Sequence, residues 1–222
     1  MGAPLISDIR EHPSRWALAL LGVLFVLYAL DLPLARLFYI PGRGFTWDTE
    51  GMLEFVRVAA PDLVIGSFGL CGIAWLIARV RPVWHPSGRE LGFLLTTMLV
   101  GPGLIVEALL KPNWGRARPK DLAEFGGAAA YTPPWQMADQ CTSNCAFTSG
   151  HAAIAFWVAA YAFLLPAKWR AAGIFGGVVF GLLVGGVRMA QGAHFLSDVA
   201  AAGVIVLAVN AALARLMLRP KT

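Results

Sequence analysis

Residues 199–214 read Val199-Ala-Ala-Ala-Gly-Val-Ile-Val-Leu-Ala-Val-Asn-Ala-Ala-Leu-Ala214, sixteen positions without a charged side chain. Five similar apolar stretches precede it, at 16–30, 63–78, 91–110, 152–167 and 171–187; the third of these carries one charge, Glu107. Most fall slightly short of the about 20 residues that cross a bilayer upright, and each gains length from its flanks. The pattern predicts spans at about 16–34, 61–80, 91–110, 152–167, 171–187 and 196–218. A soluble bundle of buried helices would accommodate any one of these runs. Six of them in 222 residues, with only 14% of residues charged, argue for a membrane bundle.

The composition agrees. Hydrophobic residues make up 58% of the chain and the mean hydropathy is +0.65, which leaves too little polar surface for a water-soluble globule. Disorder, nucleic-acid binding and a disulfide-stapled secreted fold are poor fits. The expected fold is all-α, a single domain over 1–222 built as a six-transmembrane-helix bundle. The first stretch follows Arg10 and Arg15 like a signal peptide, but no small-x-small cleavage site follows it, so it reads as a retained span.

An even number of spans puts both termini on one side. Ten lysines and arginines fall on that side and eight on the other, and the former crowd short turns such as Lys168-Trp169-Arg170. The bias points to cytoplasmic termini, with Trp16, Trp84 and Trp169 at interfacial depth. Two long segments, 35–60 and 111–150, then lie outside. The first carries Asp48, Glu50 and Glu54 and reads as an interfacial or partly helical loop. A loop of about forty residues, like the second, is usually functional.

The outer ends of the spans collect chemistry. Lys111, Arg118 and Arg188 are cations that singly would pass for interfacial residues with long stems. His151 opens the fourth span after Ser149-Gly150, and His194 and Asp198 are four apart, which on a helix puts them within contact. Together, three cations, two histidines and a carboxylate on one face describe a site for phosphate. Arginine forks match phosphate oxygens, lysine adds a point charge, and the helix start at Ser149-Gly150 offers free N–H groups without a side chain in the way. His194, with Asp198 accepting its other ring N–H, is the expected nucleophile, and His151 the acid that protonates the leaving alkoxide. Water then hydrolyses the phosphohistidine. With three cations neutralising the transition state, this chemistry calls for no metal and no cofactor, and no carboxylate cluster or His/Cys set stands ready to hold a metal.

These residues resemble the motifs of the type 2 phosphatidic acid phosphatase superfamily, which comprises lipid phosphatases and related haloperoxidases. Its first motif, Lys, six residues, Arg-Pro, is similar to Lys111 through Arg118-Pro119. Its second, Pro-Ser-Gly-His, is similar to Thr148-Ser149-Gly150-His151. Its third, Ser-Arg, five residues, His, three residues, Asp, is similar to Val187-Arg188, His194 and Asp198. Thr148 and Val187 depart from the pattern, and the exchange of serine for Val187 removes a hydrogen-bonding side chain, so that role is not carried over. The resemblance implies a phosphohistidine mechanism with His194 as nucleophile, His151 as acid and base, and Lys111, Arg118, Ser149, Gly150 and Arg188 around the phosphate. Six spans and an outward site resemble the bacterial membrane branch. The Gly115-Arg116-Ala117-Arg118-Pro119 string and the Cys141 to Cys145 stretch are similar to lipid A 1-phosphatase-like members.

The expected function is hydrolysis of a membrane lipid phosphate, of the lipid A 1-phosphate, undecaprenyl diphosphate or phosphatidylglycerophosphate type, at the periplasmic face of a bacterial inner membrane. A phosphotransferase or a lipid-phosphate transporter would use the same cations. The expected partners are that anionic lipid and the bilayer, with no nucleic acid. Cys141 and Cys145, both external, are expected to form a disulfide near the site, and Cys71 to pack within the second span. Trp114, Tyr131 and Trp135 are expected either to line an acyl-chain entrance or to anchor at the interface. Arg116 and Lys120 are expected to reach a second anionic group or to be solvated. Glu107 is expected to pair with a site cation or to act in the site, and Gly181, Gly185 and Gly186 to allow close helix packing.

Overall fold

The computed structural model describes residues 12–45, 51–81 and 85–218. Arg10, Asp48, Glu50, Trp84, Arg219 and Lys221, all weighed from the sequence, lie outside the described residues, as does the side chain of Trp16. The chain begins with α1 (Pro13–Ala29) and, after a break at Leu30, α2 (Asp31–Phe38). A short antiparallel hairpin follows, β1 (Tyr39–Ile40) on β2 (Gly44–Phe45), with Tyr39 opposite Phe45. Helix α3 (Met52–Ile77) starts at residue 52, nine positions before the expected 61, so much of the expected loop 35–60 is helix and hairpin.

Helix α4 (Gly88–Met98) opens on a full capping box: Glu90 N–H donates to Ser87 Oγ at 3.2 Å and Ser87 N–H to Glu90 Oε2 at 2.7 Å. It continues as a π-helical stretch, Leu99–Leu110, and closes in α5 (Lys111–Trp114). Pro102, inside that stretch, has no N–H to give to a regular ladder, one reason for the wider turn. The chain then runs through two short 3₁₀ turns, Pro119–Asp121 and Ala123–Phe125, and an irregular segment to α6 (Gly150–Trp157). A 3₁₀ stretch, Val158–Leu164, leads to α7 (Ala167–Ala190) and then α8 (Leu196–Met217).

Helix α6 is the centre of the bundle. Ala152, Ala153, Phe156 and Trp157 are buried on it against Val64, Phe93, Leu94, Val106, Val199, Ala202 and Val206 from α3, α4, the π-helical stretch and α8, and Ala155 is buried with Ala60 of α3 and Val184 of α7. The Trp157 indole donates to Thr97 Oγ1 at 2.9 Å, so the largest buried ring leaves no polar atom unpaired. In lipid, helix association rests on close van der Waals packing rather than on hydrophobic transfer. Gly181 and Gly185 serve that packing: a Cβ would come within 2.2 Å of the Phe156 ring at the first and 2.3 Å of Val199 at the second. Gly186 does not, since nothing lies within 4 Å of where its Cβ would be.

The outer surface is apolar, with Phe55, Leu63, Leu70, Leu76, Phe175, Leu183 and Leu216 exposed. Among the described residues four helical segments are long and apolar enough to cross a membrane: Met52–Ile77, Gly88–Asp121, Ala167–Ala190 and Leu196–Met217. Only 11% of the most apolar window of α3 is buried, an arrangement that suits lipid and not water. The first and fourth expected spans correspond to shorter helices, Pro13–Ala29 at 17 residues and the apolar Gly150–Leu164.

Candidate active site

The end of α5, the start of α6, the end of α7 and the start of α8 meet at one end of the bundle. Contacts across these ends are direct. Ser149 N–H donates to the Asp198 carbonyl at 3.4 Å, and Lys120 N–H to that of Gly192 at 3.0 Å. The Glu107 carboxylate lies against Gly150: an added Cβ there would stand 1.8 Å from Glu107 Oε1 and 3.3 Å from Lys111 Nζ. The lack of a side chain at Gly150 is therefore what lets charged groups approach the α6 N-terminus. Ser149 caps that helix, accepting from Ala152 N–H at 3.4 Å. Thr148, which precedes it, is buried, and its hydroxyl has no hydrogen-bond partner among the described residues.

The three expected cations surround the two histidines. Lys111 pairs with Glu107, Nζ to the two carboxylate oxygens at 3.0 and 3.2 Å, so Glu107 does pair with one of the expected cations. Arg118 donates from Nε and Nη2 to the Asn144 carbonyl at 3.0 and 2.6 Å. Arg188, buried at the end of α7, donates to Gln191 Oε1, and Gln191 Nε2 reaches Glu54 Oε2 at 3.3 Å. Glu54 in turn is ion-paired with Arg57 on the first turns of α3. The charges of Lys111, Arg118 and Arg188 act on His151 and on His194 alike, and Arg57 adds a fourth on His151. Arg57, Glu54 and Gln191 were missed by motif reasoning because they join the site only through the folded position of α3.

His194 is 2% exposed and sits in the turn between α7 and α8. Its Nδ1 lies 2.7 Å from the Ala146 carbonyl oxygen. A carbonyl can only accept, so Nδ1 carries the proton and Nε2 keeps its lone pair. Burial first, then the charges of Arg188, Arg118 and Lys111, hold the imidazole well below its ordinary titration range, with the Ala146 hydrogen bond opposing them. The ring is therefore neutral at physiological pH, with its Nε2 lone pair free of the proton.

The expected hydrogen bond from His194 to Asp198 is absent. Asp198 Oδ2 stands 3.9 Å from Nδ1 and accepts instead from Phe195 N–H at 2.8 Å, capping α8 as its third residue. Its other oxygen accepts from Arg116. The i, i+4 spacing places the pair close, but His194 precedes the helix, so the ring turns toward a backbone carbonyl. Arg116 is also corrected: it is 0% exposed rather than solvated, held between Asp31 and Asp198. Tyr131 belongs to this buried group, with its hydroxyl 3.2 Å from Asp31 Oδ2 and its phenol pushed upward by burial and by the Asp31 charge.

Trp114 and Trp135 behave differently from Tyr131. With Pro134, Phe147, Ser197 and Ala201 they line an apolar cleft of about 230 Å³, in which Trp114 stacks on Phe147 with ring centres 4.6 Å apart. Phe147 and Ser197 adjoin the two site motifs in sequence, so the cleft borders the site. Cys141 and Cys145 form a disulfide with Cα atoms 5.6 Å apart, closing the turn that presents the Asn144 carbonyl to Arg118. Cys71 is half-buried in α3.

A profile of the PAP2 superfamily matches residues 90–221, the stretch that holds every motif position. The chain belongs to the PAP2 superfamily. It is 37% identical over 189 residues to the lipid A 4′-phosphatase of Francisella tularensis subsp. novicida (strain U112), an alignment that covers 83% of this chain and 85% of that protein. It is 38% identical over 213 residues to a lipid A 4′-phosphatase of Rhizobium leguminosarum, covering 88% of this chain and 90% of that one. No solved structure matches. The sequence resemblance is to 1-phosphatase-like members, whereas these PAP2 relatives are named for the 4′-phosphate.

Proposed function

We propose that this PAP2 protein is a lipid phosphate phosphatase that removes the 4′-phosphate of a lipid A-type substrate through a phosphohistidine on His194. The observation that carries the reading is the buried, neutral His194, its Nδ1–H held by the Ala146 carbonyl and its charge environment shared with His151 among Lys111, Arg118 and Arg188. A binding pocket for a transported headgroup has no need of an oriented imidazole lone pair; an in-line nucleophile does.

In the proposed reaction the cations and the free N–H groups of the first turn of α6, from Gly150 on, draw the three non-bridging oxygens into place. Nε2 of His194 attacks phosphorus as the bond to the lipid oxygen breaks; His151, whose pKa burial and the site cations lower to about 4, takes up a proton once the bound phosphate offsets those cations and gives it to that oxygen. Water, deprotonated by His151, then attacks the phosphohistidine and releases inorganic phosphate. The three cations neutralise the negative charge that a metal would otherwise offset. Six passes in one domain, with both termini cytoplasmic and the site extracytoplasmic in a bacterial inner membrane, complete the reading. The four long apolar helices, the lysine and arginine bias and the relatives' bacterial sources support it.

The test is to incubate the purified protein in detergent, with chelator present, with lipid A phosphorylated at both ends and to locate phosphate loss by fragment mass spectrometry. Loss from the 4′ end is expected. Loss from the 1 end would overturn the positional assignment, and an intact lipid would overturn hydrolysis in favour of binding or transport.

A further inference from the structure

Asp31 lies outside the stretch matched by the family profile, on a helix the motifs do not mention. It is 1% exposed, yet it accepts four hydrogen bonds: from Arg116 Nη2 at 2.8 Å, Ser197 N–H at 2.8 Å, Ser197 Oγ–H at 2.5 Å and Tyr131 O–H at 3.2 Å. Arg116 is equally enclosed. Its Nε donates to the Thr132 carbonyl at 2.9 Å, Nη1 to Ser197 Oγ at 2.9 Å and to Asp198, and Nη2 to Asp31 and to Tyr131 Oη at 3.4 Å. All five of its N–H groups are used, and the guanidinium carbon sits 4.4 Å from the Phe195 ring centre.

Arg116 governs both acceptors that face His194 Nδ1. Its side chain holds the Asp198 carboxylate, and its backbone carbonyl accepts from Ala146 N–H at 2.9 Å, fixing the residue whose own carbonyl takes the imidazole proton. Charge gives the arrangement a purpose. A lone buried Asp198 would be costly, and a single arginine beside it would cancel it. Two carboxylates around one guanidinium sum to one net negative charge, fully desolvated, beside the ring that turns positive when it attacks phosphorus.

We propose that Asp31 and Arg116 are positioning residues for His194, a buried Asp31–Arg116–Asp198 group that fixes the Nδ1 acceptors and keeps one net negative charge against the developing phosphoimidazolium. Neither residue touches the substrate. The kinetic arm of the test rests on the phosphatase reading. The charges facing His194 from the packed elements are Lys111, Arg118 and Arg188, all positive, and Asp198, negative, so the group supplies the counter-charge.

Charge arithmetic sets opposite outcomes for three variants. Asp31→Asn brings the group to zero, disfavours the imidazolium, and moves the acid limb of kcat/KM to lower pH while kcat per folded molecule falls by about tenfold or more, with KM nearly unchanged. Arg116→Gln leaves two negative charges and moves the limb to higher pH. The double variant returns to one negative charge and to a limb close to that of the native protein. A purely structural role predicts less folded protein and the same limb throughout. Limbs that coincide in all the variants that fold, or that move in the same direction for the two single changes, would overturn the proposal. If one single variant does not fold, the remaining single and the double carry the comparison. Titration of the His194 ring by ¹⁵N NMR in micelles reads the same displacements without turnover. A native protein that releases no phosphate therefore defeats the phosphatase reading, while coincident ring titrations defeat this one.

Discussion

At the scale of the residue, His194 is a neutral imidazole enclosed among cations, and this has a consequence for stability as well as chemistry. Its protonation is held well below the ordinary range in the native state, whereas the unfolded chain binds that proton below about pH 6.5. As pH falls through the interval between the two, the unfolded state takes up a proton the native state refuses, so stability is lost. Thermal unfolding in detergent should show a melting temperature that declines from about pH 7 to about pH 5.5, with a shallower decline in His194→Gln. An equal slope in that variant would mean another group carries the dependence. Glu107 carries a second expectation. Its carboxylate rests on Lys111 and over Gly150, where an incoming phosphate would sit. Glu107→Gln should lower KM severalfold and strengthen product inhibition by inorganic phosphate; a raised KM would show instead that Glu107 holds Lys111 in its working position. The cations and both histidines were legible from residue type and spacing, because phosphate chemistry constrains both. Ala146 was not, because its contribution is a backbone carbonyl that any side chain could carry. Asp31 was not, because its partners stand 85 and 166 positions away.

At the scale of the element, periodicity located the helices well but their ends poorly. The start of α3 at Met52 escaped because Glu54 reads as a loop charge, yet it pairs with Arg57 on the first turns of the helix and accepts from Gln191 Nε2. The i, i+4 rule brought Asp198 near His194 but not into a hydrogen bond, since the rule presumes both residues are helical and α8 begins at Leu196. The disulfide belongs to this scale too. It closes a turn with a sequence separation of four, so it removes little entropy from the unfolded chain. What it shapes is the Asn144 carbonyl that receives both Nε and Nη2 of Arg118. The Cys141→Ser, Cys145→Ser pair should therefore raise KM for the lipid by about threefold to tenfold while the melting temperature changes little. A large drop in melting temperature with unchanged KM would contradict that division.

At the scale of the molecule, the bundle is turned outward: small residues and a few large rings at the centre, large aliphatic residues on the surface, and the polar groups of the candidate site gathered at one end. Alanine and glycine on α6 and α7 let the helices come close enough to carry Ser149, His151, Arg188 and Asp198 to a common place. The apolar cleft between Trp114, Trp135 and Phe147 opens beside that place. The proposed function passes the phosphoryl group through one nitrogen atom, Nε2 of His194. The most direct measurement is to mix the His151→Ala protein, slowed in hydrolysis, with ³²P-labelled lipid, quench in alkali and follow label on the protein. The expected result is a covalent label that survives alkali, is lost in acid, and is absent when His194→Ala is added. Label that persists without His194, or phosphate released by the His194→Ala protein at the native rate, would contradict it.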